Sequence, residues 1–414
     1  MNEISSYNPR IHWFAVLTAL STLALIGVGG VVTSEGVGMA VPDWPNTYGY
    51  NMFFFPVSHW VGGILWEHSH RLVASGVGFL TLVLCIWLFG RSGRGFLRFG
   101  LSPLFGLVGC WAYFRAEPRL QDAVLLFSLS IFAFVVSLVW PRCEPSRRTL
   151  RRMGVIALVG VILQGVLGGL RVTLLADQIG IIHASVAQLF FVFMCSIALL
   201  SSKAWNRVQS QGQGRSVPRW LAVAMVCLTV LIFGQLILGA SMRHQHAGLA
   251  VSEFPLIAHG KVWPATDEAS IDQLNRDRID YREFNPITKN QILLHMTHRL
   301  TAFGIFTLAG LLVFGALRSL PQGHGLGNAL IIWFAVICLQ AVLGAATVWS
   351  NKAADIATLH VVLGAVALAL GGLLSIIASR LAWAIPARSS DSVEPSSHEA
   401  LPNPASTSMA HSLF

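Results

Sequence analysis

Four histidines carry the pattern in this chain most able to do chemistry: His70, His183, His298 and His360. Internal duplication singles them out, and repeats are sought before motifs because they decide the architecture. His70-Arg71-Leu72 with Ala74 returns as His298-Arg299-Leu300 with Ala302. Gln164-Gly-Val-Leu-Gly-Gly169 returns as Gln340-Ala-Val-Leu-Gly-Ala345, and His183 and His360 follow those glutamines by 19 and 20 residues. Gly38-Met-Ala-Val-Pro-Asp-Trp-Pro45 returns as Gly248-Leu-Ala-Val-Ser-Glu-Phe-Pro255, with acid, aromatic and proline in register. Four matches in one order describe two copies of one unit, each supplying two imidazoles. Two imidazoles from different helices can approach a planar tetrapyrrole from opposite faces, so the four predict two bis-histidine heme sites. Zinc or copper on the same residues would need all four side chains, or supporting carboxylates, to converge, whereas the two-copy layout separates the pairs.

The copies differ where it matters for reactivity. Glu67-His68-Ser69-His70-Arg71 aligns with His295-Met296-Thr297-His298-Arg299, so a carboxylate stands opposite an imidazole. Glu67 and His70 are three apart and share a helical face. The carboxylate could there take a proton or stabilise positive charge on a ring substituent; the alternative is a helix N-terminal acid favoured by the macrodipole. Arg71 and Arg299, each just after a ligand, could pair with a heme propionate or with Glu67, or reach for headgroups. Arg171 and Asp43 are weaker candidates of the same sort. Gly165, Gly168, Gly169, Gly239, Gly344 and Gly364 allow close approach of helices or of a cofactor plane. His68, His244, His246, His259 and His295 lack a like-for-like repeat partner and read as interfacial residues or part of an access route; His12 is an N-terminal flank residue.

The elements that must position these groups are membrane helices. Of 414 residues, 54% are hydrophobic and 11% charged, against roughly 25% charged in a soluble domain. The apolar residues gather into runs of about 17–25, enough to cross a hydrocarbon core. Core spans are expected near 13–33, 68–89, 153–174, 181–200, 220–241, 293–317, 326–348 and 358–380, each ligand opening its span. Two further stretches, near 100–114 and 123–140, predict an extra helical hairpin within 97–147; Pro103 interrupts the first. The fold class is therefore an all-α polytopic membrane protein built as two tandem, pseudo-symmetric four-helix bundles with eight core spans plus the hairpin. The halves are 1–200 and 220–385, joined by a cytoplasmic linker at 201–219. The second half carries a long outer loop at 242–291, and a polar tail at 386–414 is expected to be disordered. The six cysteines are scattered singly, without metal-site spacing.

The net charge of +9 reads as topology rather than nucleic-acid binding. Residues 31–66 hold no Lys or Arg, whereas Arg91, Arg94 and Arg98, then Arg142 through Arg152, then Lys203 through Arg219 follow in alternate connections. With both termini cytoplasmic, all these clusters fall inside if the hairpin crosses twice. Parity predicts ten spans, with the ligands near the outer face. No organelle transit sequence stands out, which favours a bacterial plasma membrane.

Taken together, Val41-Pro42-Asp43-Trp44-Pro45, Glu67 through Arg71, Gln164 through Arg171, His183 followed by Ala187-Gln188-Leu189-Phe190-Phe191, His298-Arg299 and Thr358-Leu359-His360 resemble heme A synthase, the membrane enzyme that turns heme O into heme A for terminal oxidases. The resemblance spans about 13–380 without the insert. It implies that His298 and His360 hold a resident heme b, that His70 and His183 hold the substrate heme, and that Glu67 takes part in oxidising a ring methyl to a formyl group. It further implies heme O as substrate and a heme O synthase as its supplier; the electron acceptor and homo-oligomerisation stay open. The hairpin and the long 242–291 connection depart from the family pattern. A redox cysteine pair found in the first outer loop of some relatives is absent, since 34–66 contain no Cys. The residues alone also admit a bis-heme cytochrome b that only transfers electrons, in which Glu67 would be incidental.

Overall fold

A computed structural model describes residues 7–115, 120–141, 143–211, 217–255, 263–276 and 286–383. Ten helices among them are long and apolar enough to cross a membrane. In lipid every backbone N–H and C=O must be satisfied within the segment, which makes the helix the natural state of such runs. The first unit comprises α1 (Pro9–Ser34), α2 (Gly62–Leu88), and, beyond an inserted hairpin, two further helices (Arg148–Leu174 and Asp177–Leu200). The hairpin begins with α3 (Arg91–Phe96), passes through a π-helical turn (Leu97–Leu101) into α4 (Ser102–Phe114), and returns as α5 (Leu120–Val139). The two helices after it are then α6 (Arg148–Leu174) and α7 (Asp177–Leu200). A short α8 (Lys203–Gln211) leads to the second unit, α9 (Arg219–His244), α11 (Lys289–Ser319), α12 (Gly325–Trp349) and α13 (Ala354–Ala382), with α10 (Glu268–Arg276) in the long connection before α11.

Each unit packs as a four-helix bundle: α1, α2, α6 and α7 in one, α9, α11, α12 and α13 in the other. The bundles meet through α1, α7, α9 and α13. Composition explains why α13 lies deepest: Ala357, Gly364, Ala365, Ala367, Ala369, Gly371 and Ala378 are all buried, and small residues let backbones approach where lipid gives no hydrophobic drive between helices. Trp333 of α12 fills the space so created; its indole N–H donates to Ala367 O at 2.8 Å, and Gly371 leaves room for the ring.

Helices extend beyond the expected spans at one end. α2 starts at Gly62 and α13 at Ala354, so the four histidines lie about two turns inside their helices rather than opening them. The expected short stretch at 100–114 is also longer. Pro103 cannot donate to the previous turn and its ring crowds it, and the chain answers with the π-helical turn just before, so one continuous helix runs from Arg91 to Phe114. Reciprocal bonds between Ser102 and Ser130 join α4 to α5. The hairpin seats on α2 through Ile86, Leu97, Ala133 and Trp140, and Asn51, ahead of α2, donates to Asp122 at 2.7 Å. The linker at 201–219 is partly helical, held by Arg147 on Leu200 O and Asn206. The tail at 386–414, Arg142, Arg215 and His259 lie outside the described residues.

Candidate functional site

All four histidines stand at the same end of the bundle, and each presses its ring on a glycine of a neighbouring helix. A Cβ on Gly29 of α1 would lie 3.0 Å from His70 Cε1; on Gly168 of α6, 3.3 Å from His183; on Gly239 of α9, 3.4 Å from His298; and on Gly344 of α12, 3.1 Å from His360. Helix pairing is thus identical in both units: α1 with α2 and α6 with α7, then α9 with α11 and α12 with α13. The last ligand in each unit has its helix fixed by a glutamine: Gln164 Nε2 donates to His183 O at 3.3 Å and Gln340 Nε2 to His360 O at 2.8 Å. Gln235 donates to His298 O at 2.9 Å, whereas the residue at the corresponding position of α1 is Leu25.

None of the four imidazoles makes a side-chain hydrogen bond among the described residues, and Nδ1 of every one is buried without a partner. A buried, unsatisfied nitrogen is uncommon; here it recurs at four equivalent positions, and these imidazoles are the residues that could hold a metal-centred group. Within a unit the two imidazoles project from helices of one bundle, His70 and His183 from α2 and α7, His298 and His360 from α11 and α13. Among the described residues no three His, Cys, Asp or Glu side chains gather as they would around an ion held by side chains alone. Two imidazoles per site match the need of a heme iron, whose four equatorial positions belong to the porphyrin. The residues present fit that group.

Above each pair the preceding connection folds back and is clasped to the ligand helix. In the first unit Val41 N–H donates to Glu67 Oε2 at 2.8 Å, and Arg71 reaches Val41 O at 2.8 Å, Asp43 O at 2.6 Å, Asn46 O at 3.0 Å and Glu67 Oε1 at 2.7 Å. In the second, Val251 N–H points at His295 Nδ1 at 3.3 Å, while Arg299 reaches Val251 O at 2.8 Å and His295 Nε2 at 3.1 Å. The same valine, arginine and clasp position recur, with Glu67 replaced by His295. A carboxylate accepts both bonds, but a neutral imidazole has one acceptor nitrogen and takes one at a time. Trp44 of the clasped loop drops its indole onto Gly169, next to the glycine under His183. Phe254, its counterpart, packs on Trp349 at 6.0 Å between ring centroids.

Several sequence expectations change here. Arg71 pairs with Glu67, one of the alternatives open to it, and with Arg299 it secures a loop. Asp43 accepts from Tyr48 and Gly49 N–H, both at 2.8 Å, and so shapes a turn. His68, His244 and His295 are buried rather than interfacial. His68 is enclosed by Phe55 and Trp60 and meets Thr47 at 3.2 Å; His244 lies on Gly180. Long-range contacts that no local pattern encodes cover all three; His246 alone of the described set is exposed. Of the glycines named, Gly168, Gly239 and Gly344 cradle ligands, Gly169 takes Trp44, Gly364 meets Leu236 and Gln340, and Gly165 has nothing within 4 Å. Gly29 was missed, although its 210-residue offset to Gly239, shared with the Gly38 and Gly248 loops, could have found it.

Residues 122–371, more than half of the chain, match the profile of the cytochrome oxidase assembly protein family. A heme A synthase of Bacillus cereus (strain AH187) is 25% identical over 353 residues, covering 84% of this chain and 87% of that protein. Heme A synthases of Bacillus anthracis (strain CDC 684 / NRRL 3495) and Bacillus thuringiensis subsp. konkukian (strain 97-27) match to the same extent. The chain belongs to the heme A synthase family. Its ten apolar helices make it an integral, multi-pass membrane member. The profile match takes in His183, His298 and His360 but begins after Glu67 and His70, so the first unit's clasp is supported by the internal repeat and the geometry.

Proposed function

We propose that this protein is a heme A synthase: it oxidises a ring methyl of heme O to a formyl group, giving heme A for terminal oxidase assembly. One observation carries the reading. Two bundles share the glycine-backed histidine pair, the glutamine brace and the loop clasp, yet the acid of the first clasp, Glu67, is replaced by an imidazole, His295, in the second. Duplicated binding with one chemically distinct copy is what a substrate site beside a resident cofactor site requires.

In this reading His70 and His183 hold the substrate heme, and His298 and His360 hold the resident heme b. A heme there supplies one-electron transfer. Glu67 is the acid of the reacting half. It is buried, at 3% exposure, and each carboxylate oxygen accepts one hydrogen bond, from Arg71 and from the Val41 amide, which leaves acceptor positions on both oxygens. Trp44 of the clasped loop rests on Gly169 of α6, beside the glycine under His183. The basic connections lie on the cytoplasmic side with both termini, the ligand end faces outward, and a bacterial plasma membrane is the setting. A heme O synthase supplies the substrate.

Purified protein from cells making heme O tests this by its Soret band and its extracted hemes. His298→Ala and His360→Ala lose the resident heme. His70→Ala and His183→Ala keep it and accumulate heme O. A colourless protein, or equal and firm heme retention in both halves without conversion of added heme O, overturns the enzyme reading.

A further inference from the structure

Two arginines near the ligands stand outside the loop clasps, and the repeat shows that neither has a cationic twin. Arg171 of α6 aligns with Thr347 through the glutamine motifs, and Arg243 of α9 aligns with Thr33 through Gly29 and Gly239. Each half therefore carries one extra cation, on a helix that is not equivalent to the other's. Arg243 donates to Gly30 O and to Ser34 Oγ, both at 2.8 Å. Ser34 Oγ in turn lies 3.3 Å from Thr358 Oγ1, two residues before His360. This guanidinium thus sits where α1, α9 and α13 meet, beside the helical turn that carries His360.

Arg171 lies over Gly38, whose Cβ would come within 2.9 Å of the guanidinium, and stands one helical turn beyond Gly168, the glycine under His183. The acids within its electrostatic reach are Glu67 and Asp177. Glu67 is engaged by Arg71 and Val41, Asp177 is exposed, and no hydrogen bond to Arg171 exists among the described residues. A half-buried guanidinium without a matched anion is unfavourable, and its planar fork suits a carboxylate. A tetrapyrrole held by the histidines brings two carboxylates.

We propose that Arg171 and Arg243 are the carboxylate anchors of the two macrocycles: Arg171 for the one held by His70 and His183, Arg243 for the one held by His298 and His360. Of the sequence-based candidates, Arg71 and Arg299 instead hold loop carbonyls, and Arg171, the weaker one, is left for this role. Through Gly30 and Ser34, Arg243 also ties the second site to the first half, one residue from the glycine beneath His70. This assignment rests on the heme-binding reading above.

Iron protoporphyrin IX and its dimethyl ester, titrated into the full-length apoprotein in detergent and followed at the Soret band, test it. A His360→Ala background leaves the first site to be read, and a His183→Ala background the second. Each site is expected to prefer the free acid over the ester by roughly tenfold or more, the scale of a charge-assisted hydrogen bond. Arg171→Gln abolishes the preference at the first site only, Arg243→Gln at the second only. A role confined to folding lowers affinity for both porphyrins alike and leaves their ratio intact, which overturns the proposal. Should the Gln variants fail to fold, Arg171→Lys and Arg243→Lys keep the charge and must keep a preference for the free acid; its loss there also overturns the proposal. Absence of any Soret change with either porphyrin in the unsubstituted chain refutes the heme reading itself, a result distinct from an unchanged ratio.

Discussion

Replacing Glu67 by histidine separates what this carboxylate holds from what it could do chemically, because the second bundle already carries histidine at that position. Glu67→Ala removes the acceptor of Val41 N–H and the partner of Arg71, whose side chain is 10% exposed. Breaking a buried ion pair from one side costs roughly 3–5 kcal/mol. Glu67→His can reproduce the contact that His295 makes with Val251 or with Arg299, but accepts only one of the two bonds. Its cost is therefore the smaller, about 1–3 kcal/mol for the group left unsatisfied. Thermal unfolding in detergent should rank wild type above Glu67→His above Glu67→Ala. Heme A formation from added heme O should fall roughly 10²–10⁴-fold in both variants, the range for removal of a proton-transfer group. Wild-type conversion by Glu67→His would refute a chemical role for the carboxylate. Equal destabilisation by the two substitutions would refute the equivalence of the clasps.

Two further outcomes follow from the packing. Gly344→Leu drives bulk into the His360 ring, already 3.1 Å from a Cβ at that position, and overpacking of about 1–3 kcal/mol should weaken retention of the resident heme, read from the Soret band. Gly165→Leu, which meets nothing within 4 Å, should leave it unchanged. Asp122→Ala releases Asn51 from the inserted hairpin; limited proteolysis within residues 46–60 should speed up several-fold, as expected from a contact worth about 1 kcal/mol, and unaltered cleavage would mean that the hairpin does not brace this loop.

Much of the architecture was legible along the chain because membrane insertion is a local, one-dimensional condition. A run of about 20 apolar residues must become a helix in lipid whatever its neighbours do. The ten helices among the described residues, the inserted hairpin and the pairing of the four histidines followed from run lengths and the repeat alone. Helix ends were less legible: α2 and α13 continue past their apolar stretches through polar and ligand-bearing turns, where hydropathy falls but backbone bonding does not. Pro103 was visible as an interruption, yet only the π-helical turn before it shows that the helix absorbs it.

The contacts of the polar side chains belonged to the fold. Arg71, Arg171, Arg243 and Arg299 look alike in a string of letters, each a cation close to the end of an apolar run. Two secure loops 28 to 48 residues away in sequence, one bridges helices 209 and 213 residues apart, and one lies over a glycine of another loop. Glu67 shares a helical face with His70, as its spacing required, but its carboxylate turns to Val41 and Arg71. Sequence determined which segments enter the membrane and which residues are duplicated, since both depend on neighbours along the chain. Tertiary structure decided which groups meet, since a buried charge or N–H must find its partner wherever packing has brought one.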